Sequence, residues 1–94
     1  MQRKNVLSIA GSDSSAGAGI QADLKSFSYL GLHGLTVITT VTAQNTQKVQ
    51  AIHPIPLSII EDQLESVFDD FSIGEVLNHP VVAKIRAKDY FITK

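Results

Sequence analysis

No cysteine occurs among the 94 residues, which excludes disulfides and thiolate metal sites and fits a reducing, cytoplasmic setting. Neither sign of charge is in excess. Eight basic against nine acidic residues leave a formal net charge of −1, so the footprint of a nucleic-acid or anionic-membrane binder is missing. No apolar run approaches the roughly 20 residues of a membrane span. The start "MQRKNVLSIAGS" sets basic residues ahead of an apolar stretch, but that stretch, Val6 to Ala10, is interrupted by Ser8 and is too short for a signal peptide. Internal repeats and flexible linkers are also lacking. With 44% apolar residues, the chain reads as one globular domain over residues 1–94, with a thin core. The expectation is a cytoplasmic protein whose partners are neither nucleic acid nor membrane.

What is present has a clear order. Val6, Leu7, Ile9 and Ala10 form a compact apolar run closed by Gly11, which suits a short buried strand. After a loop of small residues, Ile20, Leu24, Phe27 and Leu30 fall at spacings of four, three and three, and Gly31 follows. That stripe predicts a helix from about Gly17 to Leu30. Residues 35–42, "LTVITTVT", are rich in β-branched side chains and read as a second buried strand. Strand, helix and strand make a βαβ unit, so the two strands should be parallel.

Residues 49–56, "VQAIHPIP", alternate weakly and carry Pro54 and Pro56, which reads as an extended connection. Ser58 and Glu61 match a capping box, and Ile60, Leu64, Val67, Phe68 and Phe71 describe a second helix over about 59–70. Its acidic residues, Glu61, Asp62, Glu65 and Asp69, read as a solvated face. Further on, "NHPVVAKIRAK" suits a third helix with Pro80 in its first turn, and "DYFITK" a terminal strand.

The loop "GSDSSAGAG", residues 11–19, is where a ligand would sit. A P-loop fails on spacing: five residues separate Gly11 from Gly17, and Ala18 follows where lysine is required. "GAGIQA", residues 17–22, satisfies a dinucleotide fingerprint in letters only. "SDSSA" stands between it and the strand, and the second strand ends in Thr42, Ala43, Gln44 and Asn45, not in an acid. A small-molecule pocket at the carboxyl ends of parallel strands remains. Gln44 opens onto that edge with a donor and an acceptor side by side, which complements an aminopyrimidine as Asn or Gln complements adenine.

Three stretches, "SIAGSDSSAGAGIQADLKSFSYLG", "TVITTVTAQNT" and "VQAIHPIP", closely resemble the N-terminal part of the hydroxymethylpyrimidine and phosphomethylpyrimidine kinases of thiamine biosynthesis, of the ribokinase-like superfamily. The resemblance runs from about residue 5 to residue 73. It implies an α/β fold, a partial and truncated ribokinase-like sheet with a parallel βαβ core of two or three strands and two or three helices. It implies phosphorylation of 4-amino-5-hydroxymethyl-2-methylpyrimidine and its monophosphate, with ATP and Mg²⁺. By the same resemblance, Gly11, Ala18, Asp23 and Gln44 lie around the pyrimidine, and Thr42 adds a backbone contact.

Two departures accompany the resemblance. Ala16 stands where the family usually has glycine, a mild change if its φ is negative. After Ile73, "GEVLNHPVVAKIRA" looks like the family's next helix joined on with most of the preceding strand missing, and the nucleotide-binding half is not among these residues. Asp13 and Asp23, near a helix start, read as capping or first-turn carboxylates and not as bases. His33, His53 and His79 have no metal-ligand spacing, and Lys25 reads as an exposed helix lysine. A sheet so small leaves edges open, so the chain should pair with itself or with a complementary polypeptide. The rival reading is a non-catalytic binding or oligomerisation module derived from that family.

Overall fold

The apolar run at Val6–Ala10 is covered on both faces, as a buried parallel strand requires. A computed structural model of the chain describes residues 4–78. Their order is β1 (Asn5–Asp13), α1 (Gly19–Tyr29), β2 (His33–Gln44), β3 (Val49–Pro54), α2 (Leu57–Asp70) and β4 (Glu75–Asn78). The strands form one sheet in the order β3-β2-β1-β4. β1 pairs with β2 and with β4 in parallel, so the expected βαβ unit is present.

Leu7, Ile9 and Val37 face α2 and form the core with its Ile60 and Leu64. Each such side chain contributes about 1.5–3 kcal/mol on burial. By alternation Val6, Ser8 and Ala10 take the other face, toward Ile20 and Phe27 of α1. The two helices therefore sandwich the sheet.

The connection expected at residues 49–56 is instead a strand: β3 runs antiparallel to β2, with Thr42 opposite Ile52. Asn45 turns the chain back, its Oδ1 accepting the N–H groups of Gln47 at 2.7 Å and Lys48 at 3.1 Å. Every residue of β3 is exposed, so burial left no strong pattern to read. Pro54 is tolerated because it ends an edge strand.

A strand also follows Ile73, where the sequence suggested that most of one was lost. Gly74 N–H donates to Asn5 O at 2.9 Å and Asn5 Nδ2 donates to Ser72 O at 2.9 Å, which delivers Glu75–Asn78 to the side of β1. Asn78 thus closes β4 and does not begin a helix. The rest of the expected third helix and the strand at 89–94 lie outside the described residues.

Helix ends differ from expectation in one case and agree in another. α2 begins two residues early, at Leu57, because Pro56 takes the N-cap with φ −56° and its carbonyl accepts the N–H groups of Ile59 and Ile60. Ser58 therefore sits inside the first turn, and no side chain caps the helix. α1 closes on Gly31 as expected: with φ +75° it lets Leu32 N–H reach Phe27 O at 2.8 Å and its own N–H reach Ser28 O at 3.0 Å, a Schellman motif.

Candidate functional site

The carboxyl ends of β1 and β2 lie side by side, and the loop into α1 folds over them. This is where open α/β sheets hold ligands. The pairing slips just before this end: Ala10 faces Ile38 but Ser12 faces Val41, so β2 carries one extra residue. Such a bulge re-aims the strand ends beside it. Gly11 stands at the slip, where a Cβ would meet the Thr40 methyl at 2.7 Å.

Asp13 organises the loop. Its carboxylate accepts the Ser15 hydroxyl at 2.7 Å, the Ser15 N–H at 2.8 Å and the Gly17 N–H at 3.1 Å, with the Ala18 N–H as a further donor. Ala16 N–H closes a turn onto Asp13 O at 2.9 Å. Only 4% of Asp13 is exposed, so the charge depends on these donors. The Ser15 hydroxyl and N–H foremost, then the Ala18 and Gly17 amides, hold its pKa below the ordinary 3.8 against the opposing effect of desolvation. A carboxylate so stabilised is a poor base.

Loop and strand ends are joined by five side chains, those of Ser12, Ser14, Gln21, Thr42 and Gln44. Ser14 Oγ donates to Gln44 O at 2.6 Å and accepts from Gln44 N at 2.8 Å, as a neighbouring strand would. Gln21 of α1 accepts the Asp13 N–H at 2.8 Å and donates to Ser12 Oγ at 2.9 Å. Thr42 Oγ1 lies 2.7 Å from Ser12 O and 2.7 Å from Gln44 Oε1. A hydroxyl has one proton, so the two oxygens share it, and Gln44 Oε1 keeps a further lone pair beside that contact.

Of the five residues expected around a ligand, Gly11, Thr42 and Gln44 gather at the strand ends, with Gln44 the last residue of β2 and not beyond it. Ala18 joins them as the N-cap of α1, extended at φ −151° and ψ −173°. Asp23 lies on the second turn of α1, where it accepts the hydroxyl of fully buried Ser8. Ser8 precedes Gly11 by three residues, or about 10 Å of strand. Residues 17 and 18, expected to be helical, belong to the loop because Asp13 holds their N–H groups.

Ala16 has φ +67°. The condition for a mild departure from glycine is therefore not met, and this residue carries backbone strain. Gly19 is required twice over: its φ is +64°, and a Cβ would stand 2.4 Å from Gly11 O. Sequence reasoning did not assign Ser12, Ser14 or Gln21 to the site. Their only signal was polarity beside glycine, which many loops share. A shallow concavity lined by Lys25, Ser26, Tyr29 and Leu30 lies on the outer side of α1 and includes none of these residues.

Three parallel strands, one antiparallel edge and a helix on each face place the chain in the ribokinase-like class of small-molecule kinases, whose solved members share this arrangement. Within that class the chain belongs to the phosphomethylpyrimidine kinase family, whose profile matches residues 13–77. The chain is 63% identical over 71 residues to the hydroxymethylpyrimidine/phosphomethylpyrimidine kinase of Haemophilus influenzae, covering 76% of this chain and 26% of that protein. Against the Escherichia coli protein of the same name it is 55% identical over 73 residues, covering 78% and 27%. The solved phosphomethylpyrimidine kinase of Clostridium difficile 630 superposes with a TM-score of 0.83 at 44% identity, covering 94% of this chain and 41% of that one. The chain thus spans about a quarter of the length of these curated relatives.

In the loop, the Ser15 and Gly17 amides are bonded to Asp13, and among the described residues no three His, Cys, Asp or Glu side chains come together to hold a metal.

Proposed function

We propose that residues 1–94 form the pyrimidine-binding portion of a hydroxymethylpyrimidine/phosphomethylpyrimidine kinase. The observation that carries this reading is the Gln44 amide at the end of β2, its Oε1 2.7 Å from the Thr42 hydroxyl. A 4-amino-substituted pyrimidine presents the complementary pair: its amino group donates to Oε1 and a ring nitrogen accepts from Nε2. Gly11 and Ala18 bring main chain, without bulk, to the same edge. Ile52, opposite Thr42 on the same face of the sheet and 63% exposed, supplies an apolar flank.

These residues bind and orient the ring; they do not transfer phosphate. Phosphoryl transfer needs donors and a metal around the moving group, and Asp13 cannot act as the base while four donors hold its charge. ATP and Mg²⁺ would be met by further polypeptide, from a longer form of this chain or from a partner.

Calorimetric titration with 4-amino-5-hydroxymethyl-2-methylpyrimidine tests the reading. Saturable binding is expected, weakened about 5- to 150-fold by Gln44→Ala, as loss of a bidentate pair worth about 1–3 kcal/mol dictates. A variant that binds as tightly as the parent sinks the role of Gln44. No binding by the folded parent leaves the second reading, an oligomerisation module, which the exposed Val41, Val49 and Ile52 of the β2–β3 hairpin favour.

A further inference from the structure

A glutamine at a strand end is ordinarily free to swing about its several rotatable bonds. A ligand that fixes such a side chain does so at the cost of that freedom, so an amide already held in place binds more tightly. Gln44 is held at both ends. Its main chain is fixed by Ser14, whose Oγ donates to Gln44 O at 2.6 Å and accepts from Gln44 N at 2.8 Å. The far end of its side chain lies against Thr42, with Oε1 2.7 Å from the Thr42 hydroxyl.

Thr42 can hold the amide because it is itself anchored. Its Oγ1 also lies 2.7 Å from Ser12 O. Ser12 is paired with Val41 on β1, and Gln21 of α1 secures the same segment by donating to Ser12 Oγ at 2.9 Å and accepting the Asp13 N–H at 2.8 Å. A β-branched side chain is stiff at χ1, so the hydroxyl keeps its direction. Thr42 and Gln44 stand two apart on β2 and share a face. The slip in the β2–β3 pairing falls between Ala43 and Gln44, but the extra residue, Gln50, is on β3, so β2 keeps its alternation. The family resemblance gives position 42 a main-chain contact, which any residue could make and which does not account for the hydroxyl.

We propose that Thr42 is a positioning residue for the Gln44 amide: its hydroxyl, anchored on Ser12 O, sets the place of Gln44 Oε1 before a ligand arrives. That the ligand is a pyrimidine rests on the function proposed above; the hold on the amide does not. β1, through Ser12, and β2 then determine together where a ring edge is read. Valine at position 42 keeps the branched shape and the strand preference and removes the hold. It also withdraws a donor from Ser12 O, a stability effect that the test must separate from positioning.

The test begins with nitrogen relaxation of the glutamine side-chain amides in the ligand-free 94-residue chain. The Gln44 amide should be closer in order to those of Gln21 and Gln63, each bonded through both its oxygen and its nitrogen, than to that of exposed Gln50. A Gln44 amide as mobile as that of Gln50 overturns the proposal, and this arm needs no variant to fold. In Thr42→Val the order of the Gln44 amide should fall to that of Gln50, and Thr42→Ser, which keeps the hydroxyl, should retain most of it. A folded Thr42→Val with Gln44 as ordered as in the parent overturns it, whatever happens to Tm. Calorimetric titration with 4-amino-5-hydroxymethyl-2-methylpyrimidine reads the consequence. Thr42→Val should weaken binding about 2- to 12-fold, the loss of one hydrogen bond, and should cost nothing further in a Gln44→Ala background. An equal loss in both backgrounds means that Thr42 acts without Gln44, and the proposal falls. If the parent binds no pyrimidine while the relaxation arm behaves as stated, the pyrimidine reading falls and the positioning stands. If the parent binds through Gln44 but Thr42→Val binds as tightly, the pyrimidine reading stands and the positioning falls.

Discussion

Ala16 shows how much one backbone angle alters the meaning of a side chain. Judged by composition, alanine in place of glycine is harmless; at φ +67° it costs about 1–2 kcal/mol. Ala16→Gly should therefore stabilise the chain by about 1 kcal/mol, less whatever glycine adds to the entropy of the unfolded state. Urea unfolding of the two proteins measures this, and a destabilised Ala16→Gly would show that the surrounding bonds relieve the strain. Gln44 was legible at this scale as a polar strand end, and it is the last residue of β2. Asp13 was legible only in part: a carboxylate near a helix start reads as a cap, but nothing local says that four donors converge on it.

At the scale of elements, α1 and β1 meet through Gly19. A methyl group there would strike Gly11 O from 2.4 Å, and the chain would hold alanine at φ +64°. Gly19→Ala should cost about 1–3 kcal/mol from the dihedral alone, and more as the helix start is pushed off the strand. The urea midpoint reports the total; a change within the usual range of about ±0.5 kcal/mol for a surface substitution would mean that α1 shifts freely, and that the loop is not fixed by this contact. Periodicity revealed α1, α2, β1 and β2, since each buries a face. It missed β3, which buries none and is held by its pairing with β2. It also misplaced the start of α2, because Pro56, not Ser58, turns the chain.

Edges decide the behaviour of the whole molecule. β2 is covered beyond its last β3 partner by Gln63 of α2, which accepts the Ile38 N–H at 2.8 Å and donates to Ile38 O at 2.9 Å, as a strand residue would. β3 has no such cover among the described residues. Its Val49 and Ile52 are more than half exposed. An open edge with apolar side chains invites another strand. Light scattering of the purified chain should give a mass above one copy, and a monomer at micromolar concentration would remove oligomerisation as the answer to these edges.

Local pattern was enough for the α/β class, the βαβ order and the buried Ile20, Phe27, Ile60 and Leu64, whereas Leu24, Leu30 and Phe71 of the same stripes are exposed. Each of these rests on local periodicity. Three-dimensional contacts set the rest: residues 49–54 form an edge strand, Gln63 imitates one, Ala16 is strained and Asp13 gathers the amides of the loop it enters. Those outcomes depend on hydrogen bonds whose geometry exists only once β1 and β2 lie side by side, and main-chain donors carry no letter in the sequence to announce where they will point.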